Sequence, residues 1–139
     1  MNDSTLEAKI RAIVDAALGR KAEDLVILDM REVSSFADVF ILLTGRSDRQ
    51  VRAITDGIRR ALRADGLRPL GIEGLEGSRW ALIDADDVIV HIFDPDAREE
   101  YALDRLWSDA TRLDPLSLGI DMEASEPGRL KVVSDESAV

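Results

Sequence analysis

The chain contains no cysteine. That removes disulfides, thiol catalysis and cysteine-ligated metal together, and it fits a reducing compartment. It contains one histidine, His91. A lone imidazole without cysteine partners makes a poor metal site. Positive charge is scarce: 18 Lys and Arg stand against 28 Asp and Glu, for a net charge of −10 and a pI of about 4.5. This balance disfavours nucleic acid as the direct partner, because phosphate binding is dominated by Lys and Arg. It suits a basic protein partner, whose complementary charge speeds encounter. No apolar run approaches the roughly 18 to 20 residues of a membrane span. The start, MNDSTLEAKI, lacks the basic head and apolar centre of a secretory signal. The expected address is therefore cytoplasmic. No internal repeat is visible.

What is present is enough for one domain. At 139 residues and 45% apolar content, the chain can bury a real core. The stretch from Leu70 to Phe93 organises it. Trp80 to Ile83 and the β-branched run Val88 to Phe93 flank Asp84-Ala85-Asp86-Asp87, which is turn chemistry. They read as a hairpin, and Leu70 to Ile72 adds a third strand. Before this meander, Leu6, Ile10, Ile13, Val14, Ala17 and Leu18 recur at helical spacing, behind a capping-box form at Ser4 to Glu7 and ahead of a stop at Gly19. Leu25 to Leu28 and Val39 to Leu43 are short unbroken apolar runs, hence buried strands with helices on both faces of their sheet. A second capping box, Ser47 to Gln50, opens a helix with Val51, Ile54, Ile58, Ala61 and Leu62 on its apolar stripe. Its other faces carry Arg49, Arg52, Asp56, Arg59, Arg60 and Arg63, read as solvated. Gly66 ends it, and Gly57 inside it suggests close packing on the sheet. Asp94 and Pro95 begin a last helix, continuing through Leu103, Leu106 and Trp107. The order is α-β-β-α-β-β-β-α. The fold class is α/β: one domain, residues 1–109, with a mixed β-sheet of about five strands and helices packed on it. Residues 110–139 read as an acidic, mostly disordered tail, with one transient contact through Leu116, Leu118 and Ile120.

Chemistry is thin. Thr44-Gly45-Arg46-Ser47 joins a strand to a helix N-terminus, a place that attracts anions. One glycine is far short of a phosphate loop. Asp84 and Asp86 have the spacing of a divalent-cation pair, but in a turn they are more simply solvated. His91 has no evident nucleophile beside it and reads as structural or interfacial. Trp80 and Trp107 suit the core, although Trp also anchors interfaces. No catalytic residue, cofactor or metal site emerges.

The string LDMREVSSFADVFILLTGRSDRQV, then RPLGIEGLEGSRWALIDADDVIVHIF, then REEYALDRLW resembles the ribosomal silencing factor family (RsfS, also called Iojap or DUF143). The resemblance covers roughly residues 5 to 109. It is carried by Ser34-Ser35 with Ala37-Asp38, Thr44-Gly45 with Ser47, Gly71 with Glu73-Gly74, Trp80, Asp87-Val88, Val90-His91, and Arg98 with Tyr101, Leu106 and Trp107. Gln50 departs from it, since the family usually has His there, and the acidic tail is not part of the family core. The resemblance implies a nucleotidyltransferase-like fold without catalysis. It implies binding to the large ribosomal subunit through its L-fourteen protein, which obstructs joining of the small subunit and represses translation, chiefly when nutrients are short. Beside it stand the expectations of no cofactor, no membrane and no direct sequence-specific nucleic acid, with a homodimer allowed when the protein is free. Ser35, Asp38, Trp80, His91, Arg98 and Tyr101 are the partner-binding residues expected from it. The alternatives are a nucleotide-binding or nucleotidyltransferase-type enzyme of the same fold and an adaptor for another protein. Against the enzyme, Gly45-Arg46-Ser47 lies nearly forty residues before Asp84 and Asp86, not shortly before them.

Overall fold

The computed structural model describes residues 3–75, 79–120 and 122. Four helices and six strands follow in the order α1 (Asp3–Gly19), β1 (Glu23–Asp29), β2 (Val39–Thr44), α2 (Asp48–Ala64), β3 (Gly71–Leu75), β4 (Trp80–Ala85), β5 (Val88–Phe93), α3 (Pro95–Tyr101), α4 (Leu103–Leu106) and β6 (Thr111–Arg112), with a 3-10 turn at Pro115–Leu118. The strands form one sheet in the order β3-β4-β5-β2-β1-β6. Only β2 and β5 run parallel; every other neighbouring pair is antiparallel. The mixed α/β domain is as expected, with one strand more than the five read from the sequence. The sixth, β6, is two exposed residues, too short to show an apolar pattern.

Strand alternation divides the buried residues into two layers. On one face, Ile27, Val39, Ile41, Leu43, Ile83, Val88, Val90 and Ile92 pack against the apolar stripes of α1 and α2 in the main core. The other face carries Leu28, Leu42 and Phe93 beneath α3 and α4 in a smaller cluster. The continuous apolar character of β2 and β5 follows from cover on both sides. Among the described residues, cover on the second face is incomplete, and that places the candidate site.

Several local expectations change. Ser4 lies inside α1, which is helical from Asp3, so it does not cap that helix. Ser47 does cap α2: its hydroxyl accepts from the Gln50 N–H at 3.2 Å. Gln50 then turns outward, accepting from Arg46 N–H and donating to the carbonyls of Arg20 and Lys21. It thereby ties the start of α2 to the α1–β1 turn. Gly57 opens space for Arg20, whose side chain lies 3.2 Å from where a Cβ would stand, and not for the sheet. Gly66, at φ +77°, closes α2 in the left-handed region. The last helix is interrupted at Ala102, which takes φ +49° and separates α3 from α4.

The domain also extends past residue 109. Leu113 N–H donates to Ile27 O, and Leu118 and Ile120 are buried in the main core, with Ile120 only 1% exposed. The contact read as transient is a packed one. The expected tail beyond it, residue 121 and residues 123–139, lies outside the described residues.

Candidate functional site: the half-covered sheet face

Register puts Phe40, Ile89 and Asp84 side by side across β2, β5 and β4, and next to them Leu42, His91 and Leu82. Thr44, Phe93 and Trp80 form the third row. The helices α3 and α4 cover the third row; Phe40, Leu82 and Ile89 stay half-buried. Glu73 shares this face through its pairing with Leu82, and with Asp84 it gives the open apolar patch an acidic border. Such a patch, apolar at the centre and charged at the rim, has the build of a protein-binding surface.

Aromatic rings bind the rows together. Trp80 lies 4.5 Å from Tyr101, 5.1 Å from Phe93 and 5.8 Å from His91, centre to centre. Phe40 meets His91 edge-on at 4.9 Å and Trp107 at 6.1 Å. These are the separations at which offset and edge-to-face pairs are favourable. Trp80 Nε1–H donates to His91 Nδ1 at 3.2 Å. That bond needs Nδ1 unprotonated, so the ring is neutral with its proton on Nε2. His91 is only 5% exposed, and burial pushes its pKa down from 6.5 to about 4. Its Nε2 is buried with no partner among the described residues. His91 is thus a neutral strut under Trp80 and Phe40.

Arg98 has a defined role as well. Its guanidinium grips both carboxylate oxygens of Asp104 at 3.0 Å and donates to the Thr44 hydroxyl at 2.8 Å. Burial raises the Asp104 pKa, but the hydrogen bonds from Arg98 and the charges of Arg98 and Arg112 outweigh it and hold that carboxyl below its ordinary value. This bidentate pair spans the break at Ala102 and locks α3 and α4 to the end of β2. Arg79 pairs with Glu100 and lies 3.5 Å from Asp94, beside Trp80.

The six residues singled out in the sequence do not form one cluster. Trp80, His91 and Tyr101 are in contact, with Arg98 at the same end. Ser35 and Asp38 sit at the other end: Asp38 N–H donates to Asp87 O just before β5 begins. Five residue steps along β5 separate the ends, about 16 Å at strand rise. Phe40, Leu82 and Ile89 bridge them. Beside Ser35, Phe36 is an aromatic left 89% exposed. Sequence reasoning missed Phe36, Leu82 and Ile89, because each is ordinary strand or turn material until register shows which face it occupies. Lys9 was missed too. It sits on the buried side of α1, 7% exposed, donating to Ala85 O at 3.0 Å and Asp87 Oδ1 at 2.6 Å.

The carboxylates of the β4–β5 turn point to separate duties. Asp84 Oδ1 accepts from Asp86 N–H, an Asx turn that lets Asp86 take φ +73°. Asp87 holds Lys9. No group of three potential metal-binding His, Cys, Asp or Glu side chains occurs among the described residues. At the head of α2, Arg46 is engaged by Glu23 and the free N–H groups by Ser47 and Gln50. No helix among the described residues is long and apolar enough to cross a membrane.

Comparisons with known proteins agree with this architecture. The model of the family described as "Ribosomal silencing factor during starvation" matches residues 3–137. Ribosomal silencing factor RsfS of Bacillus subtilis is 41% identical over 95 residues, covering 68% of this chain and 80% of that protein. Its counterpart in Halalkalibacterium halodurans is 38% identical over 109 residues, covering 78% and 90%. A crystal structure of a protein from Chromobacterium violaceum superposes with a TM-score of 0.72 at 31% identity, covering 78% of this chain and 88% of that one. With the family model spanning nearly the whole chain, and the same fold in a relative of that identity, this chain belongs to the ribosomal silencing factor family.

Proposed function

We propose that this protein acts in the cytoplasm as a translation repressor without catalysis. It binds the large ribosomal subunit through its L-fourteen protein and blocks joining of the small subunit, chiefly under nutrient limitation. The observation that carries the docking surface is the sheet face left open beside α3 and α4: Phe40, Leu82 and Ile89 at the centre, Trp80 at one end, Ser35, Phe36 and Asp38 at the other, Asp84 and Glu73 at the rim. A chain of net charge −10 with an acidic rim around an apolar centre complements a basic ribosomal protein. Trp80, Tyr101, Ser35 and Asp38 contact the partner in this reading. His91 and Arg98 are positioning residues, one beneath the aromatic row and one behind the α3–α4 junction. A nucleotidyltransferase-type enzyme draws no support from the paired aspartates, since Asp84 and Asp86 share the β4–β5 turn, where Asp84 Oδ1 accepts from Asp86 N–H in an Asx turn. The nucleotidyltransferase-like ancestry of the fold remains part of this proposal.

The test is sedimentation of the full chain with purified large subunits, beside a binding assay with isolated L-fourteen protein. Wild type pellets with large subunits and slows formation of the joined ribosome. Leu82→Lys, which sets a cation against a basic partner, loses both effects while retaining the fold by circular dichroism. If wild type fails to pellet with large subunits, or joining proceeds unchanged at saturation, the proposal is wrong.

A further inference from the structure

The acidic balance of the chain is not uniform. From Arg46 to Arg68 there are seven arginines and three aspartates, a local charge of +4, so the rest of the chain carries −14. The basic segment is α2 and the turn after it, on the side of the sheet opposite the face described above. Two grooves of about 370 and 350 Å³ run between α2 and the edge strand β3, sharing Arg59 and Ile72 as walls. Together they make one trough with Arg52 near one end and Arg63 and Arg68 at the other. Arg52 and Arg63 are about 16 Å apart along the helix at 1.5 Å per residue.

One acidic side chain reaches this trough, Asp56; Glu73 borders it on β3, with its side chain on the Leu82 side of the sheet. Asp56 is already engaged by Arg59 and by Arg60. Arg49, Arg52, Arg63 and Arg68 are exposed, and their side chains have no ion pair or hydrogen bond among the described residues. Leu67, Leu70 and Ile72 stand exposed beside them at 37%, 70% and 39%. One long side of the trough is the outer edge of β3, where no further strand pairs among the described residues. Free guanidinium forks in a row, over an apolar floor, suit a sugar–phosphate backbone with its bases lying against the leucines.

We infer that the Arg52–Arg68 trough binds ribosomal RNA through its phosphates, without sequence readout, while the opposite sheet face holds the ribosomal protein. This rests on the docking proposed above, because a ribonucleoprotein surface presents RNA beside any protein it exposes. The two faces then divide the work: the acidic rim selects a basic protein, and the arginine trough fixes the orientation of the body on the subunit.

The experiment measures the affinity of the full chain for purified large subunits between 50 and 200 mM salt, for wild type and for Arg52→Gln/Arg63→Gln/Arg68→Gln. Melting curves confirm that the exposed substitutions leave the fold intact. A parallel arm uses fluorescence anisotropy with a single-stranded RNA oligonucleotide at low salt. Loss of three phosphate contacts lowers the slope of log affinity against log salt by about 2, and removes oligonucleotide binding. Binding to isolated L-fourteen protein stays unchanged. An unaltered subunit slope overturns the inference. A reduced slope with no wild-type binding to the oligonucleotide also overturns it, and assigns the trough to an acidic protein. Absent subunit binding by wild type, with oligonucleotide binding intact and sensitive to the substitutions, would sink the docking proposal and leave the trough standing.

Discussion

Replacing Trp80 with alanine separates a surface anchor from a structural one. The indole is half-buried and touches Tyr101, Phe93 and His91 at 4.5 to 5.8 Å between ring centres. Truncating a fully buried Trp costs about 3 to 5 kcal/mol. Half exposure reduces that to roughly 2 kcal/mol, because less area is lost from the packed interior. The change also strips His91 Nδ1 of its hydrogen-bond donor in a buried setting, for about another 1 kcal/mol. The expected loss is therefore about 3 kcal/mol, a fall in melting temperature of roughly 10 °C for a domain of this size. Trp80→Phe keeps the ring and drops only the N–H, so it should lose about 1 kcal/mol. Thermal melting by circular dichroism measures both. Subunit binding is then read well below the melting point of the alanine variant, where the loss of the exposed indole edge weakens association by on the order of tenfold. If Trp80→Ala melts within about 2 °C of wild type, the ring does not support the α3–β4 packing and the reasoning fails.

His91 makes stability depend on pH. The folded state holds it neutral with a pKa of about 4 against an ordinary 6.5, so below pH 6.5 the unfolded chain takes up a proton that the folded one refuses. Its contribution is complete above pH 6.5 and falls as pH drops toward 4, by up to about 3 kcal/mol; melting curves of His91→Gln should lack this slope, and parallel curves for both proteins would refute it. Lys9→Met leaves the largely buried Asp87 carboxylate without its cation and should lower stability by about 3 kcal/mol, with part of the loss recovered in Lys9→Met/Asp87→Asn. Equal melting of the single and double variants would show that the pair is not coupled. Truncation after Arg112 removes buried Leu118 and Ile120, and should reduce stability by about 3 kcal/mol in urea unfolding. An unchanged midpoint would restore the view of this segment as a loose tail.

The sequence by itself determined the elements. Helical spacing places the α1 and α2 stripes, short unbroken apolar runs between turn residues place the five long strands, and Ser47, Gly66 and Asp94 punctuate them by local backbone chemistry that needs no tertiary context. The family strings identified the relatives for the same reason: they are local. What only the tertiary structure decided depends on pairing across long separations. The parallel junction of β2 with β5 sets Phe40 beside Ile89 and Leu42 beside His91, nearly fifty residues apart in each case, and so creates the open face. The same register sends Ser35 and Asp38 to one end and Trp80 to the other, dividing a set that the chain order presents as one signature. Lys9 reads as a polar interruption in an apolar stripe until Asp87 arrives opposite it. Leu118 and Ile120 lie in a stretch too short and irregular to show a period, yet they are buried because the core offers a surface that their own segment does not. Local propensity is written residue by residue, whereas burial and face are properties of two segments together, and a single chain read in order carries no record of which segments will meet.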